Sequence, residues 1–273
     1  MQERVVDSGE VRLVVRSDGD GPTVLFLHGW PDDSRLWSKV VPTVVEAGYR
    51  AVVVDQRGCG ASDKPATTEA YAMRHLVDDV RAVIDEVGGP VHLVGHDWGS
   101  NIAWVAATHL TGRVTSISAL SVGHPTAFRS AGFEQQLKSW YTLLFFHEGV
   151  GEAFLRRDDY FAIRRWLGHP DAQAVIDRLE VSGQMEAQLR WYRANIPPSA
   201  FVDPPPVLPP VPVPALGIWS TGDAALSERQ MTESGRFCGA GFEYVRVEGG
   251  GHWLPLERPD VVAQALLQFW SQF

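Results

Sequence analysis

The sequence predicts an α/β fold in which helices flank a mostly parallel sheet and a block of helices interrupts the chain. Three observations predict it. Strand patterns alternate with helical patterns in the N-terminal half, the alternation stops after residue 125, and it resumes near residue 213. A chain of 273 residues can hold one such domain with an insertion. We therefore expect a core formed by residues 1–125 and 213–273, and a helical cap formed by residues 126–212.

Short runs rich in β-branched residues, each followed by turn residues, predict the strands of the core. They cover residues 23–28, 50–55, 91–96 and 114–122 before the insertion, and 214–220 and 242–247 after it. Between the second and third runs, apolar residues recur at helical spacing until a Gly-Gly-Pro sequence ends the pattern. Strands that alternate with helices in this way imply a parallel sheet with right-handed crossovers.

The inserted segment is dominated by helical patterns and by aromatic residues. The helices are expected over residues 133–146, 150–158, 160–168, 171–183 and 184–195. A proline-rich stretch, residues 197–214, then predicts an extended return to the core. Since nearly half of the chain's aromatic residues lie in this segment, we expect a lid that covers an aromatic-lined cavity.

The overall charge and the termini exclude several classes of function. The net charge is -9, and Lys and Arg form no cluster longer than a pair, which argues against nucleic acid or an anionic membrane as partner. The sequence shows no secretory signal and no apolar run long enough to span a bilayer. Cys59 and Cys238 lack the spacing of metal ligands. We expect a cytoplasmic protein without metal or cofactor, and its oligomeric state stays open.

The sequence Gly95-His-Asp97-Trp-Gly99 connects a predicted strand to a predicted helix. A sharp turn of this kind raises its central side chain above the sheet and requires small neighbours. In one large enzyme class the central residue is a serine nucleophile, whereas here it is Asp97. We expect the helix N-terminus to lower the pKa of Asp97 and to keep its carboxylate ionised. Taken alone, Asp97 could equally be a simple helix cap.

Three further motifs follow predicted strands and complete a catalytic pattern. In the sequence HGWPDD, the backbone N–H of Trp30 can pair with that of Trp98 to form a two-donor oxyanion hole. Asp223 follows one of the later strands, and His252 follows three glycines after the last strand. The chain order Asp97, Asp223, His252 is the order nucleophile, acid, base. Each motif alone has a plainer interpretation as an ordinary turn.

Together these motifs resemble the epoxide hydrolases of the α/β-hydrolase fold. The resemblance covers nearly the whole chain and rests on HGWP, DQRGCGASDKP, GHDWGSNIAW and GGGHW. In the cap, the sequence RWYRANIPP resembles the family's second lid-tyrosine segment and implies that role for Tyr192. The sequence around SWYTLLFF resembles the first such segment after a small gap and implies Tyr141, with Tyr160 as the fallback.

The resemblance implies that a small apolar or aromatic epoxide reacts with water to give a vicinal diol. Asp97 would attack a ring carbon and form an alkyl ester, while Tyr141 and Tyr192 donate a proton to the departing oxygen. His252, oriented by Asp223, would activate the water that cleaves the ester. A serine would form an ether, which this water could not hydrolyse. This contrast explains why a carboxylate stands on the turn.

The main alternative is a haloalkane dehalogenase, which also uses an Asp nucleophile and a His base. That family needs a second N–H donor for the halide besides Trp98, often an Asn where this chain has Trp30. Its acid often lies where this chain reads SVGHPTAF, which holds no carboxylate. A lid indole could replace the missing donor: Trp140, Trp166 or Trp191. A non-catalytic receptor is disfavoured because the triad is intact. The epoxide's identity, the selectivity and the physiological role stay open.

Overall fold

The computed structural model describes residues 1–181 and 183–273. Over these residues the chain forms one eight-stranded sheet with the order β1-β2-β4-β3-β5-β6-β7-β8. Strand β2 is antiparallel to both of its neighbours, and all other neighbouring pairs are parallel. The strands are β1 Gln2–Ser8, β2 Val11–Asp18, β3 Thr23–Leu27, β4 Arg50–Asp55, β5 Val91–His96, β6 Val114–Leu120, β7 Ala215–Ser220 and β8 Phe242–Val247.

The hairpin of β1 and β2 is a feature that the sequence patterns did not predict. Strand β1 is an edge strand and β2 lies next to it, and most residues of β1 are exposed. Continuous apolar runs are typical of strands that are buried on both faces, and a half-exposed strand at the edge of a sheet lacks such a run. Strands β3 to β8 lie where the sequence predicts them, within two residues at either end.

Helices cover both faces of the sheet. They are α1 Val41–Glu46, α2 Met73–Val87, α3 Trp98–His109, α4 Pro125–Ser130, α5 Phe133–Lys138, α6 Thr142–Phe146, α7 Val150–Phe161, α8 Ala172–Leu179, α9 Gln184–Asn195, α10 Glu228–Thr232, α11 Leu254–Glu257 and α12 Pro259–Trp270. The apolar faces of α2 and α3 form one core layer with the sheet. Those of α1 and α12 form the other.

The segment between β6 and β7 is helical, but several of its helices have other bounds than those predicted. The expected helix over 133–146 is divided into α5 and α6. In α7 the backbone leaves the helical conformation at residues 157–160, and a π-helical turn, Ala162–Trp166, follows. The expected helix over 171–183 ends at Leu179, and Ser182 lies outside the described residues. Helix α9 has the predicted bounds.

The apolar side chains of this segment do not form a separate core. They belong to one buried cluster that also contains Trp30, Cys59 and Trp98 from the sheet edge. The cluster therefore ties the inserted helices to the loops that follow β3 and β5. The division into core and cap at residues 126 and 212 stays a prediction. Within the described parts of the chain, no helix combines the length and apolarity needed to cross a membrane.

Candidate active site

The turn between β5 and α3 forces Asp97 into a strained conformation, with φ of 53° and ψ of -119°. The turn closes only because its flanking residues lack side chains. A Cβ atom on Gly95 would lie 2.3 Å from the carbonyl oxygen of Gly99, and one on Gly99 would lie 2.1 Å from that of Leu27. Positive φ is costly for an aspartate, so surrounding contacts must hold the residue in place. The carboxylate consequently points out of the sheet edge.

Backbone N–H groups surround this carboxylate. The N–H of Trp30 donates to Oδ1 of Asp97 at 2.9 Å. The N–H of Trp98 acts on the same group and lowers its pKa. Gly29 allows the close approach, because a Cβ atom there would lie 2.4 Å from Cβ of Asp97. The two donors predicted for an oxyanion hole therefore meet at one carboxylate.

The predicted direction of the Asp97 pKa is wrong. Burial raises this pKa above its ordinary value, and it outweighs the opposing effects of His252 and of the two backbone donors. The prediction considered only the helix N-terminus. It could not include desolvation, which depends on the aromatic side chains that later parts of the chain place over the carboxylate.

Asp223 and His252 form a hydrogen-bonded pair beside Asp97. Nδ1 of His252 lies 2.8 Å from Oδ2 of Asp223. Oδ1 of Asp223 accepts from the backbone N–H groups of Ala225 and Leu226, each at 2.9 Å. Both carboxylate oxygens of Asp223 thus have hydrogen-bond partners, which fixes the orientation of this side chain. Nε2 of His252 faces Oδ2 of Asp97 at 3.7 Å, beyond hydrogen-bond distance.

The electrostatics of the site favour a charged imidazole. Burial alone would lower the pKa of His252, but the carboxylates of Asp223 and Asp97 outweigh burial and raise this pKa to about 9. Burial also acts on Asp223, yet His252 and the two backbone donors bring the pKa of Asp223 below its ordinary value. At neutral pH the imidazole of the unreacted site is therefore charged, and it lies between Asp223 and Asp97.

The backbone at His252 is held from the neighbouring strands. Its carbonyl oxygen accepts hydrogen bonds from Nε2 of His96 at 2.8 Å and from Oγ of Ser121 at 3.1 Å. Burial lowers the pKa of His96 to about 3, so that ring is neutral. The sequence patterns pointed to neither residue, although His96 ends one predicted strand and Ser121 is the second-last residue of another.

Tyr141 and Tyr192 lie opposite Asp97. Their ring centres are 6.2 Å apart, and their hydroxyl groups interact with each other. Burial raises the pKa of both phenols, and the negative charge of Asp97 raises it further. Both phenols are therefore protonated over the physiological pH range. Tyr192 also packs edge-on against Trp98, with 5.1 Å between ring centres.

Tyr160 does not join this pair. Its hydroxyl donates to Oε1 of Glu180, and its backbone lies in the kinked end of α7. Of the lid indoles, Trp191 donates its Nε1–H to the carbonyl oxygen of Arg57 at 3.1 Å, and Trp140 is 43% exposed. Trp166 packs against Tyr141 and Trp140. The structure thus pairs Tyr192 with Tyr141 and not with Tyr160.

A buried carboxylate that sequence reasoning missed joins the lid to the site. Asp32 accepts from Nε1 of Trp253 at 2.9 Å and lies 3.2 Å from Nε2 of His169 and 3.4 Å from Arg178. Burial opposes ionisation of Asp32, but His169 and Arg178 prevail and lower its pKa. The Asp-Asp pair after Gly-Trp-Pro was visible in the sequence, whereas its partners lie more than a hundred residues away.

Comparison with known proteins agrees with this geometry. The model of the alpha/beta hydrolase family matches residues 24–265. The chain is 31% identical to Epoxide hydrolase A of Mycobacterium tuberculosis, over 98% of this chain and 96% of the relative. It is also 31% identical to the AB hydrolase superfamily protein YfhM of Bacillus subtilis, over 97% of this chain and 96% of the relative.

Solved structures of epoxide hydrolases share the fold of this chain. The chain superposes on the epoxide hydrolase of Bacillus megaterium with a TM-score of 0.86 and 26% identity, over 99% of this chain and all of that one. The predicted α/β-hydrolase fold and the resemblance to epoxide hydrolases are therefore confirmed. With the strained turn, the oxyanion donors and the matched length in agreement, the chain is a hydrolase that belongs to the alpha/beta hydrolase family.

Proposed function

We propose that this protein is an epoxide hydrolase that converts a small apolar or aromatic epoxide to a vicinal diol through an ester on Asp97. One observation carries the proposal: a carboxylate stands on the strained turn, and two protonated phenols lie near enough for its charge to raise their pKa values. The names of full-length relatives, Epoxide hydrolase A among them, support the same activity.

The first step uses the charges that surround Asp97. Its carboxylate attacks one carbon of the epoxide, and the carbon–oxygen bond of the ring breaks. The oxygen leaves as an alkoxide, which Tyr141 and Tyr192 protonate or hydrogen-bond as it forms. Because burial keeps both phenols protonated, the donors are present before the substrate enters. The burial that raises the pKa of Asp97 also favours this step, because a poorly solvated carboxylate is a stronger nucleophile.

The second step releases the diol. Once Asp97 is an ester, its negative charge is gone, and one cause of the high pKa of His252 disappears. The imidazole can then lose its proton and act as a base toward water, with Asp223 holding Nδ1. Water attacks the ester carbonyl, and the developing oxyanion takes the place that Oδ1 of Asp97 now occupies beside the N–H of Trp30.

One observation supports dehalogenation as a second candidate. The indole Nε1–H of Trp30 is buried and meets no acceptor among residues 1–181 and 183–273. A free N–H donor beside the site could bind a halide. The indole of Trp98, by contrast, interacts with the hydroxyl of Tyr192, which reduces its availability to an anion. We therefore rank the epoxide first.

A trapping experiment separates the two reactions. In a His252→Gln variant the ester should form and persist, because the base is missing. We expect intact-protein mass spectrometry after incubation with styrene oxide to show an added mass equal to the whole epoxide, located at Asp97. An Asp97→Asn variant is the control and should stay unmodified.

The same measurement with 1-bromoalkanes tests the rival. Dehalogenation leaves an alkyl group on Asp97 without the halogen. An adduct obtained only with the bromoalkanes would overturn the proposed function in favour of the second candidate, and no adduct with either class would overturn both.

A further inference from the structure

Helix α5 of the lid packs directly on the loop that carries the acid. We name residues 223–227 the acid loop. Nζ of Lys138 donates to the carbonyl oxygens of Asp223 at 2.8 Å and of Ala224 at 3.3 Å. The contact spans 85 residues of sequence, and it reaches the backbone of the very residue that orients His252.

A second side chain of α5 holds the other end of the acid loop. Gln135 is 2% exposed. Its Nε2 donates to the carbonyl oxygen of Ala225 at 3.0 Å, and its Oε1 accepts from the backbone N–H of Ser227 at 2.8 Å and from its hydroxyl at 2.9 Å. Every polar atom of this amide is thus used to fix the acid loop.

The acid depends on the part of the loop that α5 grips. Oδ1 of Asp223 is held by the N–H groups of Ala225 and Leu226, which lie between the two anchor points of α5. On the core side, Gln230 donates to the carbonyl oxygens of Ser227 and Ser121. The acid loop is therefore clamped between the lid and the core.

The same lid segment also carries one of the phenols. Tyr141 follows α5 by three residues, and the chain between them is tied by hydrogen bonds from Gln135 to Ser139 and from Thr142 to Ser139. Tyr141 and the side chains that contact the acid loop therefore belong to one short segment of the lid. The lid thus links the group that serves the first step to the group that serves the second.

We propose that Lys138 and Gln135 are positioning residues for ester hydrolysis: through α5 they hold Asp223 in the orientation that His252 requires. This inference rests on the proposed function and adds a role for the lid beyond covering the substrate. The titratable groups that face His252 are Asp223, Asp97, Asp32 and the neutral His96, and of these only Asp223 is held by α5.

The test compares three lysine variants. Lys138→Met removes the two donated hydrogen bonds while keeping an unbranched side chain only one atom shorter, and Lys138→Arg restores a donor. Lys64→Met is a matched control, because Nζ of Lys64 also donates to two backbone carbonyls, those of Gly60 and Ser62, in a loop away from the acid. Alkylation and ester hydrolysis are measured separately in single turnovers with styrene oxide.

We expect Lys138→Met to slow hydrolysis about tenfold and to leave alkylation unchanged. The acid limb of the hydrolysis rate should move to lower pH, because a loosely held Asp223 raises the pKa of His252 less. Lys138→Arg should recover most of the rate, and Lys64→Met should match the wild type. Equal slowing of both steps, or an unmoved pH limb, would overturn the inference.

Two additions keep the test decisive. If Lys138→Met does not fold, Ser227→Ala removes a single hydrogen bond to Gln135 and should produce a smaller effect in the same direction. The NMR resonance of the His252 Nδ1–H needs no substrate, and it should shift upfield in Lys138→Met but not in Lys64→Met. A wild-type protein that is inactive on epoxides would refute the proposed function. An unshifted His252 resonance in Lys138→Met would refute the positioning role of Lys138.

Discussion

The two halves of the site are built by different means. On the sheet side, Asp97, Asp223 and His252 are positioned by backbone turns at the ends of three parallel strands, and several neighbouring glycines cannot carry a side chain. On the lid side, Tyr141 and Tyr192 are positioned by packing among aromatic rings. Phe145, for example, contacts both tyrosines.

The difference shows which half tolerates change. A turn whose atoms are already in van der Waals contact has little freedom to adjust, so we expect a single added methyl group to displace Asp97. A cluster of aromatic side chains can repack with smaller losses, because each ring has several partners. We therefore expect the sheet side to tolerate substitutions less well than the lid side.

The largest effect is expected from Gly29→Ala. The added Cβ would lie 2.5 Å from Oδ1 of Asp97, so the carboxylate and the N–H of Trp30 cannot keep their places. A displacement of this size should slow alkylation by at least about 100-fold. Gly239→Ala is the control, since its Cβ would meet neighbours at 3.4 Å or more, and it should leave the rate unchanged. Wild-type alkylation in Gly29→Ala would contradict the account of the turn.

A smaller effect is expected from Tyr192→Phe. The variant keeps the ring and its packing but loses the hydroxyl, so alkylation should slow by about tenfold to hundredfold, with ester hydrolysis much less affected. Tyr160→Phe is the matched control, because the hydroxyl of Tyr160 is hydrogen-bonded to Glu180 and does not belong to the pair of Tyr141 and Tyr192. Single-turnover rates of both steps check the prediction. Equal slowing of both steps in Tyr192→Phe would contradict the role of Tyr192 as a proton donor.

The smallest effect concerns stability and pH. The pKa of His252 is raised from 6.5 to about 9 in the folded protein. The charged imidazole therefore stabilises the fold fully below pH 6.5, and this contribution is lost as the pH rises through 9. His252→Gln should lower the free energy of unfolding more at pH 6 than at pH 10, as measured by urea denaturation. An equal loss at both values would show that the imidazole is not stabilised by its carboxylates.

Three of the residues that the sequence predicted for the site, Asp97, Asp223 and His252, lie together in the structure. Asp97 between two glycines, and Asp223 and His252 after strand patterns, are local signals that need no knowledge of packing. Tyr141 and Tyr192 were reached only by resemblance, because no local pattern in the inserted segment shows which phenols lie near the sheet.

Properties that arise from distant parts of the chain could not be predicted. The raised pKa of Asp97 comes from burial beneath the lid, and the partners of Asp32 and of the acid loop lie 85 or more residues from them. The hairpin of β1 and β2 was missed for a different reason, since an edge strand with one exposed face has no continuous apolar run. Local sequence patterns predict where buried strands end. They do not predict which side chains from distant parts of the chain contact those ends.

The central claim is that a carboxylate oxygen of Asp97 passes into the product and is replaced from water. Multiple turnovers of styrene oxide in H₂¹⁸O, followed by mass spectrometry of the peptide that contains residue 97, test this most directly. We predict that ¹⁸O accumulates in the Asp97 carboxyl group, and that enzyme treated without substrate stays unlabelled. Full conversion to diol with no ¹⁸O in that carboxyl group would contradict the covalent mechanism.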